Sequence, residues 1–248
     1  MRKTYTLLLL MMAVNFGLKA QTIVPDRPDQ TESTVTVPLR SLQIESGVHS
    51  GNYDNGLIKQ VVIPTTLLRY GLTKNIELRL GQQFENLNND KTSQDDFGRG
   101  DLELGTKIRL FKKEGVNTQI AFVSHLIVPT GSNGFTNDEL GTVNKLAISH
   151  EINDKLGLGY NVGYNYMGEG KGDLTYSVGL GIGLGEKFGS YIEFYGEQAE
   201  FSNWGTNIDT GLNYLLRDNL QLDVSFGLGL NHEMHYFALG CSWNLGKI

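Results

Sequence analysis

The chain has 248 residues, a formal charge of −6, 31 glycines and one cysteine, and charged residues make up 19% of it. Soluble domains carry about 25% charged residues and about 7% glycine, so the composition argues against a soluble helical enzyme. The mild negative charge is not offset by any basic tract, which excludes a nucleic-acid-binding face, and a lone cysteine excludes an intrachain disulfide framework.

The chain opens with Arg2 and Lys3, then an apolar run from Leu7 to Val14, then Leu18-Lys19-Ala20 before Gln21. This layout predicts a secretory signal peptide over residues 1–20, cleaved after Ala20. The apolar run is well short of the roughly 18 residues that a spanning helix needs. No later stretch reaches that length without a charge or a glycine. A helical membrane protein is therefore excluded, and only a closed barrel could satisfy its backbone in lipid. Cys241 lies far from the export signal, so it is not the acylated cysteine of a lipoprotein. An export signal without disulfides suits a bacterial envelope protein.

Residues 21–40 form a polar N-terminal segment, and from Ser41 onward apolar and polar residues alternate with period two, which places successive side chains on opposite faces of a strand. Strands are predicted near 41–50, 57–70, 76–86, 101–111, 118–128, 143–152, 156–166, 173–184, 190–201, 207–216, 220–230 and 235–245. The clearest runs from Asp173 to Leu184, with Leu174, Tyr176, Val178, Leu180 and Ile182 on one face and Thr175, Ser177, Gly179, Gly181 and Gly183 on the other. Segments of this length cross the hydrocarbon when tilted. The fold class is all-β: an antiparallel transmembrane β-barrel of about twelve strands over residues 41–248, an even number as single-chain bacterial barrels use.

Short connections near 71–75, 112–117, 153–155, 185–189 and 217–219 alternate with longer ones at 86–100 and 129–142, which predicts periplasmic turns, extracellular loops and both termini in the periplasm. A soluble lipocalin-type barrel would turn the same apolar face inward. Eight strands already suffice to hold a small ligand, and about twelve with an apolar interior would enclose a large dry cavity, so the membrane arrangement is preferred. Tyr160, Tyr164, Tyr166, Tyr176, Phe237 and Trp243 then fall on the outward face, where aromatic rings form interfacial girdles.

Two short stretches carry a family resemblance. Asp26-Arg27-Pro28-Asp29-Gln30-Thr31-Glu32-Ser33, directly after the expected signal peptide, resembles the opening signature of the outer-membrane family labelled "putative MetA-pathway of phenol degradation". Val128-Pro129-Thr130-Gly131, leaving the fifth strand, resembles that family's Pro-Thr-Gly element. The resemblance implies an outer-membrane barrel that takes up or exports small solutes, aromatic ones by the family's label, and it supplies no catalytic residue.

With the apolar face outward, the lumen receives an acidic wall from Glu193 and Glu197 on the ninth strand, Asp209 on the tenth and Asp223 on the eleventh. Strands two to four offer a mixed wall of Lys59, Arg69, Arg79, Lys107 and Arg109 with Glu77, Asp101 and Glu103. In a ring of about twelve these walls face each other, and a transverse field would discriminate solutes by charge. The simpler alternative is that inward charges pair, hydrate and fill the interior. Gly157, Gly159, Gly163, Gly179, Gly181 and Gly183 would leave one wall almost bare; it could admit the N-terminal segment or a solute, or serve only curvature. Asp26, Arg27, Asp29 and Glu32 could place residues 21–40 in the lumen as a plug, or the segment could be a solvated tail.

No cofactor or metal is expected. His232, Glu233 and His235 lack the rest of a ligand set. An outer-membrane lipid hydrolase would need a nucleophile and base in contact. Ser124-His125 and Ser149-His150 are neighbours in strands and so point to opposite faces. The expected function is a channel or transporter for small solutes, with a closed structural or adhesive barrel, and then a lipid hydrolase, as alternatives. The expected partners are outer-membrane lipids, a small solute and the barrel-assembly machinery during insertion, with no nucleic acid.

Overall fold

The computed structural model describes residues 23–92 and 94–248, so the expected signal peptide at 1–20 lies outside the described residues. The strands are β1 (Ser41–Tyr53), β2 (Ile58–Gly71), β3 (Ile76–Asn89), β4 in two pieces (Gln94–Arg99 and Leu102–Lys112), β5 (Thr118–Val128), β6 (Gly141–Asn153), β7 (Leu156–Tyr166), β8 (Asp173–Gly183), β9 (Phe188–Gln198), β10 (Trp204–Arg217), β11 (Leu220–Gly229) and β12 (Met234–Lys247). Each pairs antiparallel with its neighbours in chain order, and β1 pairs with both β2 and β12, which closes a twelve-stranded barrel. Closure leaves no open sheet edge, the condition for a sheet to span lipid.

The burial is inverted relative to a soluble protein. Arg69, Lys107, Gln43, Glu45, Glu77 and Glu193 are the largest fully buried side chains, while Val162, Leu239, Phe226 and Phe237 stand outward and exposed. Apolar side chains outside and charged ones inside are stable only if the outer face meets hydrocarbon. Tyr164 and Trp243 stand exposed on that outer face, where the aromatic girdle was expected.

Two expectations need correction. The predicted long loop at 86–100 is instead a hairpin: the first piece of β4 pairs with β3 from Phe84↔Arg99 to Asn89↔Gln94, and the second continues the same ladder from Gly81↔Glu103. Apart from Leu87 and Phe97 its residues are polar or glycine on both faces, so the alternation that marks a strand is missing. Lys59 does not line the lumen. The β2 register shifts between Val62 and Thr65, across Ile63-Pro64, where proline lacks the N–H that a regular ladder needs. The bulge reverses the facing: Gln60 and Val62 turn inward on one side of it, Thr65, Leu67 and Arg69 on the other, and Lys59 is left exposed.

The short connections predicted at 71–75, 112–117, 153–155, 185–189 and 217–219 all lie at one end of the barrel, the turn end; the connection 129–140 lies at the opposite, loop end, together with the short connections 54–57 and 230–233. Residues 23–40 run inside the lumen. Ile23 N–H donates to Asp218 O in the β10–β11 turn (2.8 Å), so the segment enters at the turn end. It climbs to an exposed Gln30, which lines a loop-end cavity, then descends until Thr36 donates to Lys74 O (3.2 Å) in the β2–β3 turn and Leu39 bridges Gly71.

Candidate functional site

The lumen is built from three parts: a charged wall on β1–β4, an acidic and tyrosine-rich wall on β9–β12, and the N-terminal segment between them. On the first wall Arg69 is the hub. Its guanidinium donates to Glu77 at 2.8 and 3.0 Å and to Glu45 at 2.7 Å, and also to the carbonyls of Val24 (3.2 Å) and Val35 (2.9 Å), one on each leg of the segment. Arg79 meets Asp26 at 2.8 Å and Glu32 at 3.1 Å, and Lys107 Nζ meets both Asp26 oxygens at 2.7 Å. Burial alone would raise the Asp26 carboxyl, but the charges of Arg69, Lys107 and Arg79 hold it well below the usual carboxylate range. Arg109 reaches Thr36 Oγ1 at 2.5 Å near the turn end. Glu103 takes no part in this network: it accepts from His125 Nδ1 (2.8 Å) and is partly exposed. Asp101, expected on this wall, instead accepts the N–H groups of Gly131 (2.8 Å) and Asn137 (3.1 Å). The Pro-Thr-Gly element is thus tied to the break in β4, reinforced by Leu102 N–H donating to Thr130 Oγ1 at 3.1 Å.

On the opposite wall, among the described residues, only Asp223 has a cationic partner, Arg27 of the segment, at 3.1 Å. Glu193 and Asp209 are cross-strand neighbours and, among the described residues, neither forms an ion pair with a basic group. Tyr191 and Tyr236 both donate to Asp209 Oδ2, at 3.1 and 2.5 Å, and its Oδ1 has no partner among the described residues. Gln30 N–H donates to Glu193 Oε2 at 2.7 Å, and the Thr31 hydroxyl bonds Glu193 Oε1 and Ser177 Oγ, the latter at 2.7 Å. Burial and then the charges of Glu193 and Asp209 push the Asp29 carboxyl well above the usual range. Glu197 stands exposed in the loop-end half of the lumen.

Cavities lie on both sides of the segment. The loop-end one, 470 Å³, has an aromatic side of His49, Tyr53, Tyr195 and Tyr236 and an amide side that includes Asn161 and Asn207. The turn-end one, 540 Å³, runs along Gly157, Gly159, Gly179, Gly181 and Gly183. A β-carbon at Gly159 would sit 3.1 Å from Thr31 Cγ2, and Glu32 N–H donates to Asn161 Oδ1 at 2.7 Å. Gly163 lies further toward the loop end, against Thr175 and Lys145.

The Ser-His pairs are separated, as strand geometry requires. Ser124 donates to Asn144 while His125 holds Glu103; Ser149 bonds Thr34 while His150 contacts Thr118 and the Tyr160 hydroxyl. His235 bonds Asn52, and His232 lines the loop-end cavity. Sequence reading missed Glu45, Tyr191, Tyr236 and Asn161. Each sits on an inward parity that the alternation marks, but which wall it meets depends on the register between strands and on where the segment lies.

Inverted burial, closure and a polar, cavity-bearing lumen define an outer-membrane β-barrel of the channel type. Residues 25–243 match the family described as "Putative MetA-pathway of phenol degradation", and the chain belongs to that family. Its fold is similar to that of an outer membrane channel from Pseudomonas putida F1, with a TM-score of 0.70 and 14% identity over 88% of this chain and 100% of that chain. It is also similar to the KdgM porin in complex with disordered oligogalacturonate (TM-score 0.60, 11% identity, 81% and 98% covered) and to the NanC porin (0.57, 9%, 81% and 100%). At these identities the likeness is one of fold. No curated protein matches the chain.

Proposed function

We propose that the chain is an exported outer-membrane channel for small neutral or cationic solutes, aromatic compounds among them. In this reading residues 1–20 direct export, the barrel-assembly machinery inserts residues 41–248 into the outer membrane, both termini stay in the periplasm, and residues 23–38 plug the waist. The observation that carries it is the imbalance between the two walls. Arg69, Arg79 and Lys107 are quenched by Glu45, Glu77, Asp26 and Glu32. Among the described residues Glu193, Asp209 and Glu197 form no ion pair, and although Lys145 and His232 line the same loop-end cavity as Glu197, the acidic groups on this wall outnumber them, so the residual field in the lumen is negative and favours cations over anions. The tyrosines of the loop-end cavity supply faces on which a small aromatic ring can stack, in keeping with the family's description.

The test is conductance of the refolded mature protein in planar bilayers under a salt gradient, with and without residues 23–38. A reversal potential of cation-selective sign, reduced by Glu193→Gln with Glu197→Gln, supports the proposal. No current from either form would oppose it. That outcome would favour the rival reading, a closed structural or adhesive barrel, which draws on how completely the segment buries Arg69, Lys107 and Glu193. A non-enzymatic role is part of the proposal and rests on Ser149 and His150 being engaged with different partners on opposite faces. Turnover of a lipid ester, abolished by a Ser149 or His150 substitution, would overturn it.

A further inference from the structure

The two legs of the N-terminal segment are held very differently. Toward β1–β4 and β11–β12 the contacts are charged and buried: Asp26 with three cations, both leg carbonyls on Arg69, Val37 N–H on Glu77 Oε2 at 2.8 Å, and Arg27 on Asp223. Toward β6–β8 they are few and uncharged: Thr31 on Ser177 of β8, Glu32 backbone on Asn161 of β7, and Thr34 on Ser149 of β6 at 2.7 Å. The two large cavities meet on that weakly held side. The loop-end cavity reaches down to Asn161 and Ser177, and the turn-end cavity begins two residues further along each strand, at Gly159 and Gly179. Two residues of strand are about 7 Å, the thickness of a single side chain. Thr31 fills that interval, with its hydroxyl between Ser177 and Glu193 and its methyl against Gly159.

We infer that solutes cross beside a segment that stays seated, along the β7–β8 wall, and that Thr31 is the residue that closes this route. The inference rests on the channel reading above and makes it more specific. Displacing the whole segment would strip Asp26 and Arg27 from buried partners of opposite charge, whereas a shift of Thr31 breaks only uncharged bonds to the wall and its bonds to Glu193. The glycines supply the width: a β-carbon at Gly157 or Gly181 meets no atom closer than 3.7 Å, so the wall there opens on the cavity and not on packed neighbours.

The test uses the full mature chain in a Cys241→Ser background, since Cys241 is the sole cysteine and stands exposed. Single-channel current is recorded before and after a small cationic thiol reagent. Gly157→Cys and Gly181→Cys should lose most of their current on modification. Gln43→Cys, on the opposite wall beneath the seated segment, should not react. Thr31→Ala should raise conductance by about twofold or more, and Ser177→Ala, which loosens the same contact without touching the segment, should raise it less. Equal modification at Gln43→Cys, or conductance unchanged in both Thr31→Ala and Ser177→Ala, would overturn the route while leaving a conducting channel. Absence of current from every variant would instead remove the channel reading on which it rests.

Discussion

Arg27 reaches Asp223 at 3.1 Å through a slot that two glycines keep open. Gly47 and Gly240 are register partners on β1 and β12, and a β-carbon built on either would come within 2.6 Å of the Arg27 guanidinium group. At Gly240 the three nearest atoms all belong to this flexible guanidinium, so a methyl group there would evict it without disturbing the barrel, whereas at Gly47 it would also come within 2.5 Å of the Leu239 carbonyl oxygen. Asp223 would be left buried and uncompensated. Gly240→Ala and Arg27→Ala should therefore each cost about 3 kcal/mol, the lower end of the range for a broken buried pair, since the Arg27 side chain is one-fifth exposed. The measurement is the urea midpoint of refolded protein together with protease nicking of residues 23–38. Undiminished protection in Gly240→Ala would show that this pair does not seat the segment.

Asp26 and Asp29 should make the seat depend on pH in opposite directions. The Asp26 carboxyl is lowered in the folded protein, so its contribution is full above the unfolded value near 4 and is lost as pH falls through the lower folded value. The Asp29 carboxyl is raised, so its contribution is full below the unfolded value and is lost as pH rises through the higher folded one. Protection of residues 23–38 from protease should peak between these limits. Asp29→Asn should remove the loss on the alkaline side, and Asp26→Asn should weaken protection throughout by leaving Arg69, Arg79 and Lys107 short of a partner. Identical profiles for wild type and Asp29→Asn would refute the assignment.

Period-two alternation made most of this fold readable, because a strand that separates lipid from a polar lumen must alternate. It failed where that pressure lapses. Asn86 to Gly100, polar or glycine apart from Leu87 and Phe97, reads as a loop although its backbone pairs nearly throughout. At Ile63-Pro64 the bulge reverses facing within one strand, so Lys59 and Arg69 share an odd number yet point to opposite sides. Parity marked Arg69, Arg79, Lys107, Glu193 and Asp209 as inward, but it misplaced Lys59 and did not foresee that Asp101 and Glu103 engage a loop and His125. The partners that quench the basic wall were not legible, since Asp26 and Glu32 precede the barrel and only the folded segment brings them to Arg79 and Lys107.

The outward face permits a direct test of the membrane environment. Val162 lies midway along β7 and is 61% exposed, while Leu230 lies just past the end of β11 and is 53% exposed. In lipid the cost of a charge depends on depth. Val162→Arg should destabilise the barrel by about 2–4 kcal/mol in phospholipid vesicles, and Leu230→Arg by about 0–1 kcal/mol. Equal, small effects at both positions would mean that this face meets water.

Asp101 accepts two backbone N–H groups from one loop, those of Gly131 and Asn137, while the Arg99 guanidinium donates to the carbonyl of Thr130, just before them. A β-carbon at Gly131 would come within 3.0 Å of Asp101 Oδ1 and within 2.7 Å of Phe135 O, so the close approach of backbone to carboxylate needs glycine. Asp101→Ala removes the acceptor and leaves two donors to find water. The loss should be local, about 1–2 kcal/mol for the pair. Hydrogen exchange should therefore accelerate at Gly131 and Asn137 and spread over 129–140, while the urea midpoint of the barrel stays unchanged, because the second piece of β4 keeps its pairing with β3 and β5. A fall in the barrel midpoint of the same size as the local loss would show instead that the Pro-Thr-Gly element holds the interrupted strand in register, and that the break at Gly100 is stable only while the loop is tied to it.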